Sequence, residues 1–424
     1  MIKELIEKCY KENIIVQVNK RKENNTSIEV FNDKINAFNT GIVYSYLIKA
    51  LINNKTITIN VENIEDTDSI IRVLKENIIL LDNNNVNAFA KNEKIHKINK
   101  KPLIIDYNQV KEDLISLNTL KDEYKLISNI TLYFDYNEED IEITNKDISI
   151  CDTNSYISFD AEIIATKNDV NYTKRVSFNL KSYNFNKIKS NIIKNIKELC
   201  SSIDQSVCKT SKYNIILTNE CVIKLLSTFK GMFLEENIYK KTSILESYYN
   251  KKVFSDKISV LDEPLNKKFI TTRSFDNEGM PTYNKIVVDK GVFVNKLYNN
   301  EYAIKNNVKS TGNSFGAYNL SINKGETSFS SMKKILNDGI IINNLEGMHS
   351  GVNILNGEFS LLCEGYIIKN NKKVKTLKDI IISSNLITLF NSITLVGSDI
   401  NYSMGLVAAP SLMIKDVTIT GSEE

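Results

Sequence analysis

Apolar residues recur at helical spacing at the start of the chain, where Ile2, Leu5, Ile6 and Cys9 share one face of MIKELIEKCY. The period then changes. IIVQV (14–18), TSIEVFN (26–32) and INAFNTG (35–41) alternate apolar and polar residues around polar turns, which predicts half-buried antiparallel strands, and TITINV (56–61) continues the series. Helical spacing returns over 67–81, which aligns Ile70, Ile71, Leu74, Ile78 and Leu81 behind a cap at Asp66 or Thr67. A helix–strands–helix unit results. A second unit of the same kind follows, with a helix near 108–124, strands at 129–134, 155–165 and 175–180, and a helix over 185–203. The two units echo each other in arrangement without sharing a sequence motif.

From Tyr213 the character changes again. YNIILT precedes an apolar helical stretch at 219–234, and short strands follow, parted by the turn signals DNEG (276–279), DKG (289–291), NDG (337–339) and NGE (356–358). The expected fold class is α+β. An N-terminal helix-and-antiparallel-sheet domain is expected over 1–205 and a β-rich C-terminal domain over 213–421, with the boundary near 204–213. A chain of 424 residues, 42% of them hydrophobic, exceeds one typical domain and can bury a large core.

Charge narrows the functional classes. Lys and Arg number 54 against 51 Asp and Glu, a net +3 far from the clustered basic excess of a nucleic-acid binder, so no direct nucleic-acid contact is expected. The lysine-rich KNEKIHKINKK (91–101) lacks the glycines and aromatic residues of a phosphate or base site and reads as a solvated connector. The N-terminus has no apolar run of signal-peptide length, and nowhere does the chain reach the roughly 18 uninterrupted apolar residues of a spanning helix. Six cysteines without paired spacing read as reduced core thiols. A cytoplasmic protein without a membrane partner is the expectation.

The residue inventory disfavours self-contained hydrolytic chemistry. Zinc peptidases need histidines and a carboxylate at fixed spacing, and the two histidines here, His96 and His349, stand far apart. Gly312-Asn313-Ser314-Phe315-Gly316 fits G-x-S-x-G, but the pattern makes a nucleophile elbow only between a buried strand and a helix, and the flanks KNNVKST and AYNLSINKG predict loops. A cysteine nucleophile requires a spatial partner that spacing does not supply, and Cys363 within FSLLCEGYII reads as a core strand residue. Walker and dinucleotide fingerprints are missing.

Four blocks in the C-terminal half carry a resemblance. LLSTFKGMFLEENIYKKTSIL (225–245) comes first, and FDNEGMPTYNKIVVDKGVFVNKLYNNEYAIKNNVKSTGN (275–313) follows with a D-x-E-G turn, a G-V turn and a closing T-G-N. GMHSGVNILNGEFSLLCEGYIIKNNKKVK (347–375) fits G-x-H-x-G-V-N…G-x-F-S, and ITLVGSDI (393–400) with PSLMIKDVTITG (410–421) completes the order. Together they resemble the TldD/PmbA family, also called the modulator of DNA gyrase family.

The resemblance implies a two-domain intracellular protein in a family of metallopeptidases that act on small or unfolded polypeptides. In TldD-type members a His-Glu-x-x-x-His helix and a later cysteine hold the metal. The matching helix here reads Leu226, Ser227, Thr228, Phe229, Lys230, Gly231, and the later run SDINYSMGLVAAPSL contains no cysteine. This implies the PmbA/TldE-like branch: a subunit with no catalytic residue, metal ligand or cofactor of its own, paired as a heterodimer with a TldD-like subunit that brings the zinc. A homodimer is the expectation for the isolated chain. Thr311, Gly312, Asn313, His349 and Gly351 are the candidate peptide-binding residues, with loop geometry as the first role of 311–313 and a structural hydrogen bond as that of His349. Two alternatives are an independent hydrolase built on Ser314 or a cysteine, and a protein-binding regulator.

Overall fold

The computed structural model describes residues 1–81, 89–98, 100–203 and 206–422, so Asn99 of the lysine-rich connector and Asp204 and Gln205 of the expected boundary lie outside the described residues. The first half runs α1 (Ile2–Lys11), β1 (Ile15–Phe31), β2 (Lys34–Ile52), β3 (Lys55–Val61) and α2 (Thr67–Ile78). It continues with α3 (Tyr107–Asn118), β4 (Ile127–Thr144), β5 (Ser149–Lys167), β6 (Val170–Leu180) and α4 (Phe185–Cys200). All six strands form one antiparallel sheet in the order β3-β2-β1-β4-β5-β6. The echo in the sequence is therefore a mirror in the sheet: each half is helix, three strands, helix, and the halves meet at the β1–β4 pair.

The strands are longer than the alternation predicts. Segments 14–18 and 26–32 are two ends of the single strand β1, and 35–41 is only the beginning of β2. The intervening NKRKENN has no apolar period, yet its backbone pairs with β2 on one side and β4 on the other. Cross-strand ion pairs hold its side chains, with Arg21 2.7 Å from Glu139 and Lys22 3.5 Å from Asp140. This polar waist parts two cores on the same face of the sheet. Val16, Val18, Ile48 and Ala50 pack under α1 and α2 with Leu5, Ile71 and Leu74. Ile28, Leu132, Phe134 and Ile163 pack under α3 and α4 with Leu114, Ile188 and Ile192. Asp66 rather than Thr67 caps α2, accepting the Ser69 amide at 2.8 Å. The predicted helices at 67–81 and 185–203 are shorter, and those at 108–124 and 219–234 finish in the 3-10 turns Thr119–Glu123 and Lys230–Phe233.

The second half runs β7 (Ser211–Leu217), α5 (Asn219–Phe229), α6 (Glu235–Tyr239), β8 (Val260–Asp262), β9 (Lys285–Asp289), β10 (Val292–Phe293) and α7 (Asn300–Lys305). Then come β11 (Leu320–Ile322), α8 (Phe329–Leu336), β12 (Gly339–Glu346), β13 (Glu358–Lys369), β14 (Lys372–Asn385), α9 (Leu386–Asn391), β15 (Ile393–Val396), β16 (Val407–Ala408) and β17 (Leu412–Thr420). One sheet has the order β14-β13-β12-β7-β17-β15, and β14 also pairs with β17 at Ile381 and Ile382, so five strands close on themselves. A smaller sheet has the order β10-β9-β8-β11-β16. Both cover one core, into which α5 inserts Cys221, Val222, Leu225, Leu226 and Phe229. The fold is mixed α+β with a β-rich second half. Among the described residues no helix is long and apolar enough to cross a membrane.

Candidate functional site

The second half docks on the helix-free face of the first sheet through a small apolar cluster of Phe275 with Ile141 and Ile143 and through polar contacts. Gln17 Nε2 donates to the Glu278 carbonyl at 3.2 Å, Asn19 donates to the Asn277 carbonyl, and Arg273 pairs with Glu139. Lys100 lies 2.6 Å from Asp152 and donates to the Thr272 carbonyl at 2.7 Å, while Asp152 accepts the Ser274 amide at 2.9 Å. The connector at 91–101 is thus not wholly solvated. Its last lysines precede Pro102, and Lys100 turns inward as a bridge between the halves, where burial lowers its pKa against the opposing pull of Asp152.

Toward the β5–β6 end the two halves diverge and leave a cleft of roughly 1690 Å³. Its walls include Asp160, Glu162 and Arg175 from the sheet and Lys224, Glu346 and His349 from the second half. Acidic and basic groups face each other, so the cleft favours no single sign of charge. Residues 173–180 of β6 line it, and β6 is the last strand of its sheet. The amide of Asn179 already uses this outer edge, donating to the Ser403 carbonyl at 2.7 Å. Strand pairing alternates, with β5 taking one set of main-chain groups and the other set facing outward, so the amides and carbonyls of Thr173, Arg175 and Ser177 face the same side as those of Asn179.

The expected site residues fall in two places. His349 is exposed on the turn after β12 and lines the cleft, and neighbouring Gly351 is pressed against β13, where a Cβ would come within 2.3 Å of the Ser360 carbonyl. Thr311, Gly312 and Asn313 sit together elsewhere. Asn313 is 3% exposed, and all its polar capacity is engaged: Nδ2 donates to Asp262 at 2.9 Å and to the Gly316 carbonyl at 2.9 Å, while Oδ1 accepts from Thr311 at 2.7 Å and Lys285 at 3.2 Å. Gly312 adopts φ +70° with the Pro281 carbonyl 2.5 Å from where a Cβ would stand, so the loop needs glycine there. This trio braces fully buried Asp262.

Sequence reasoning missed the D-x-E-G turn as an electrostatic centre. Asp276 accepts the amides of Glu278, Met280 and Ser314, each at 2.9 to 3.0 Å, yet its full burial raises its pKa. Glu278 accepts the Asn300 amide at 2.7 Å and lies 3.7 Å from Lys49 of the first half. Burial, then the neighbouring Asp276, pushes the Glu278 carboxyl up to about 7. Two carboxylates two residues apart were the available signal.

On α5 Leu226 and Phe229 are buried in the core, and the flanking Ser227, Thr228 and Lys230 offer no imidazole or carboxylate. Among the described residues no three His, Cys, Asp or Glu side chains group as ligands. Ser314 is equally committed, its Oγ accepting the Glu278 amide at 3.1 Å. Burial raises the thiol of Cys221 to about 12 and that of Cys363 upward too, the reverse of an activated nucleophile.

A two-core sheet joined to a partly closed β-barrel defines a structural class with solved members. The structure superposes on a Thermotoga maritima protein crystallised as a candidate modulator of DNA gyrase with a TM-score of 0.89, 23% identity and 99% of each chain covered. It superposes on TldE from Thermococcus kodakarensis with a TM-score of 0.86, 16% identity and coverage of 99% and 100%. Residues 210–421, half of the chain, match the PmbA/TldA metallopeptidase C-terminal domain, and the chain belongs to the PmbA/TldD family. The metalloprotease PmbA homologue of Buchnera aphidicola (subspecies Acyrthosiphon pisum) is 27% identical over 229 residues, 54% of this chain and 51% of that one. The chain spans about half the length of the curated relatives it matches.

Proposed function

We propose that the chain is a PmbA/TldE-like subunit of a cytoplasmic TldD/TldE-type peptidase, which receives an extended peptide along β6 while a TldD-like partner supplies zinc, water and the general base. Family membership supports the peptidase class. The observation that carries the subunit's own role is the outward edge of β6, whose Asn179 amide already makes a main-chain bond on the cleft side. Strand addition to such an edge gives affinity from main-chain bonds, which suits unfolded peptides of varied sequence. His349 is the polar side chain we assign to the peptide, with Gly351 allowing its turn to lie close on β13. Thr311, Gly312 and Asn313 act behind the wall, through Asp262.

The test is binding of a fluorescently labelled unfolded peptide to the wild type and to Ser177→Pro. Proline at an outward edge position deletes one cleft-facing amide without touching the β5 ladder. Affinity should fall about tenfold, the equivalent of one or two net hydrogen bonds, with the circular dichroism spectrum unchanged. Unaltered affinity in a folded variant would remove β6 as the receiving edge.

A further inference from the structure

The face of the sheet beside the receiving edge of β6 is laid out in short rows. Val176, Phe178 and Leu180 of β6 and Phe159, Ala161 and Ile163 of β5 are buried on the side of α3 and α4, so the residues between them point from the opposite face into the cleft. The strand register sets Arg175 beside Glu162, Ser177 beside Asp160 and Asn179 beside Ser158. On β4 the last two rows continue with Tyr133 and Asp135.

The two outer rows are satisfied within themselves. Arg175 donates to Glu162 at 3.1 Å, and Ser158 donates to Asn179 Oδ1 at 3.0 Å. The middle row is not. Among the described residues the Asp160 carboxylate has neither an ion pair nor a hydrogen bond, and the same holds for Asp135, diagonally beside it. Burial, then the charge of Asp160, raises the pKa of Asp135. On the facing wall Lys224 is engaged elsewhere, donating to Asn344 Oδ1 at 2.8 Å and to the Leu345 carbonyl at 3.1 Å. The cleft as a whole favours neither sign of charge, but this row is short of a cation, and only the small side chain of Ser177 separates Asp160 from the open edge.

We propose that Asp160 selects a lysine or arginine at the position of the bound peptide that pairs with Ser177. The inference rests on the strand addition to β6 proposed above and adds to it a preference for basic sequence. Residues paired across strands place their side chains on the same face, so the residue opposite Ser177 projects into the cleft. Its backbone lies two strand spacings, about 10 Å, from that of β5. The four-carbon stem of a lysine and the side chain of Asp160, reaching toward each other, cover that span. The stem lies over Ser177, and the charged end meets Asp160 with Asp135 behind it. Peptide residues two positions away face Arg175 or Asn179, whose rows are already complete, so one basic residue is selected rather than a run. Main-chain bonds supply affinity, and Asp160 fixes the register.

The experiment measures binding to the full chain of labelled Ser/Thr peptides of one length that carry a single central Lys, Arg, norleucine or Glu. The wild type should bind the Lys and Arg peptides about fivefold more tightly than the norleucine peptide, the upper end for a partly exposed ion pair, and the Glu peptide more weakly still. Asp160→Asn should bring the Lys and norleucine peptides to one affinity with an unchanged circular dichroism spectrum. Glu220→Gln, which removes a cleft carboxylate of the second half, should leave the preference intact. Ser177→Pro should weaken all four peptides. Equal binding of the Lys and norleucine peptides by the wild type, a comparison that needs no variant to fold, overturns the selection, and strand addition still stands if Ser177→Pro weakens both. A preference that survives Asp160→Asn, or that Glu220→Gln removes equally, also overturns it. If a folded Ser177→Pro variant binds all four as the wild type does, the receiving edge is wrong and this inference falls with it.

Discussion

The amide of Asn179, near the end of strand β6, donates to the carbonyl of Ser403 at 2.7 Å, joining the outermost strand of the first sheet to a loop of the second half. The same edge continues past Ser177 and Arg175 into the cleft. One position of the edge is thus already paired within the chain, and its neighbours present the same groups to solvent.

Hydrogen exchange should distinguish these positions. The amides of Thr173, Arg175 and Ser177 should exchange faster than that of Asn179 in the free protein. Saturating unfolded peptide should slow the first three and leave Asn179 unchanged. Equal exchange at all four with and without peptide would contradict strand addition.

Replacing His349 by Ala should leave the melting temperature within about 1 °C, because the side chain is exposed and surface substitutions of this kind are nearly neutral to folding. Peptide cleavage by a reconstituted complex should fall several-fold through a higher KM. Unchanged kinetics would limit His349 to the turn itself.

Asn313→Ala should act in the opposite way. The substitution removes a donor from Asp262, which is fully buried and otherwise accepts from the Tyr318 amide at 2.7 Å and Lys285 at 2.8 Å. The expected cost is about 1 to 3 kcal/mol of stability, measured by denaturant unfolding, with peptide affinity of the folded fraction preserved.

Glu278 makes stability depend on pH. Its folded pKa of about 7 lies above the ordinary 4.5, so its contribution is fully present below pH 4.5 and is lost as pH rises through 7, when the buried group must ionise. Glu278→Gln cannot ionise. The stability of this variant relative to the wild type should therefore rise by roughly 2 to 3 kcal/mol between pH 5 and pH 8. A constant difference across that range would show that Glu278 is not held in the protonated form.

Much of this architecture was legible in the chain. Helical spacing at Ile70, Ile71, Leu74 and Ile78 and the candidate cap at Asp66 fixed α2, because an amphipathic face and a capping carboxylate are local signals. The length of β1 was not legible. Residues 19–25 show no alternation: Lys20, Arg21 and Lys22 make ion pairs to β4, more than a hundred residues away in sequence, and Asn19 donates to the Asn277 carbonyl of the second half. Lys100 reads as one more solvated lysine until Asp152 is brought to it. His349 is a candidate through the G-x-H-x-G block of the resemblance, and it lines the cleft, whereas the edge of β6 offers no side-chain signature at all, since it is made of main-chain groups.

Lys100→Ala would leave Asp152, between the two halves, with only the Ser274 amide as its hydrogen-bond partner among the described residues. Losing one partner of a largely buried pair should cost about 3 kcal/mol, and Lys100→Arg should recover part of it. A loss below about 0.5 kcal/mol would reduce the contact to a surface pair.

If this chain binds peptide and a partner cuts it, the division of labour is visible in a single assay. Cleavage of an unfolded substrate such as casein is followed with this chain alone, with a TldD-like protein alone and with the two together, each with and without a chelator. This chain alone should cleave nothing, and the mixture should cleave strongly and in a chelator-sensitive way. Robust, chelator-insensitive cleavage by this chain alone, abolished by Ser314→Ala, would make it a hydrolase in its own right and overturn its assignment as the peptide-binding subunit.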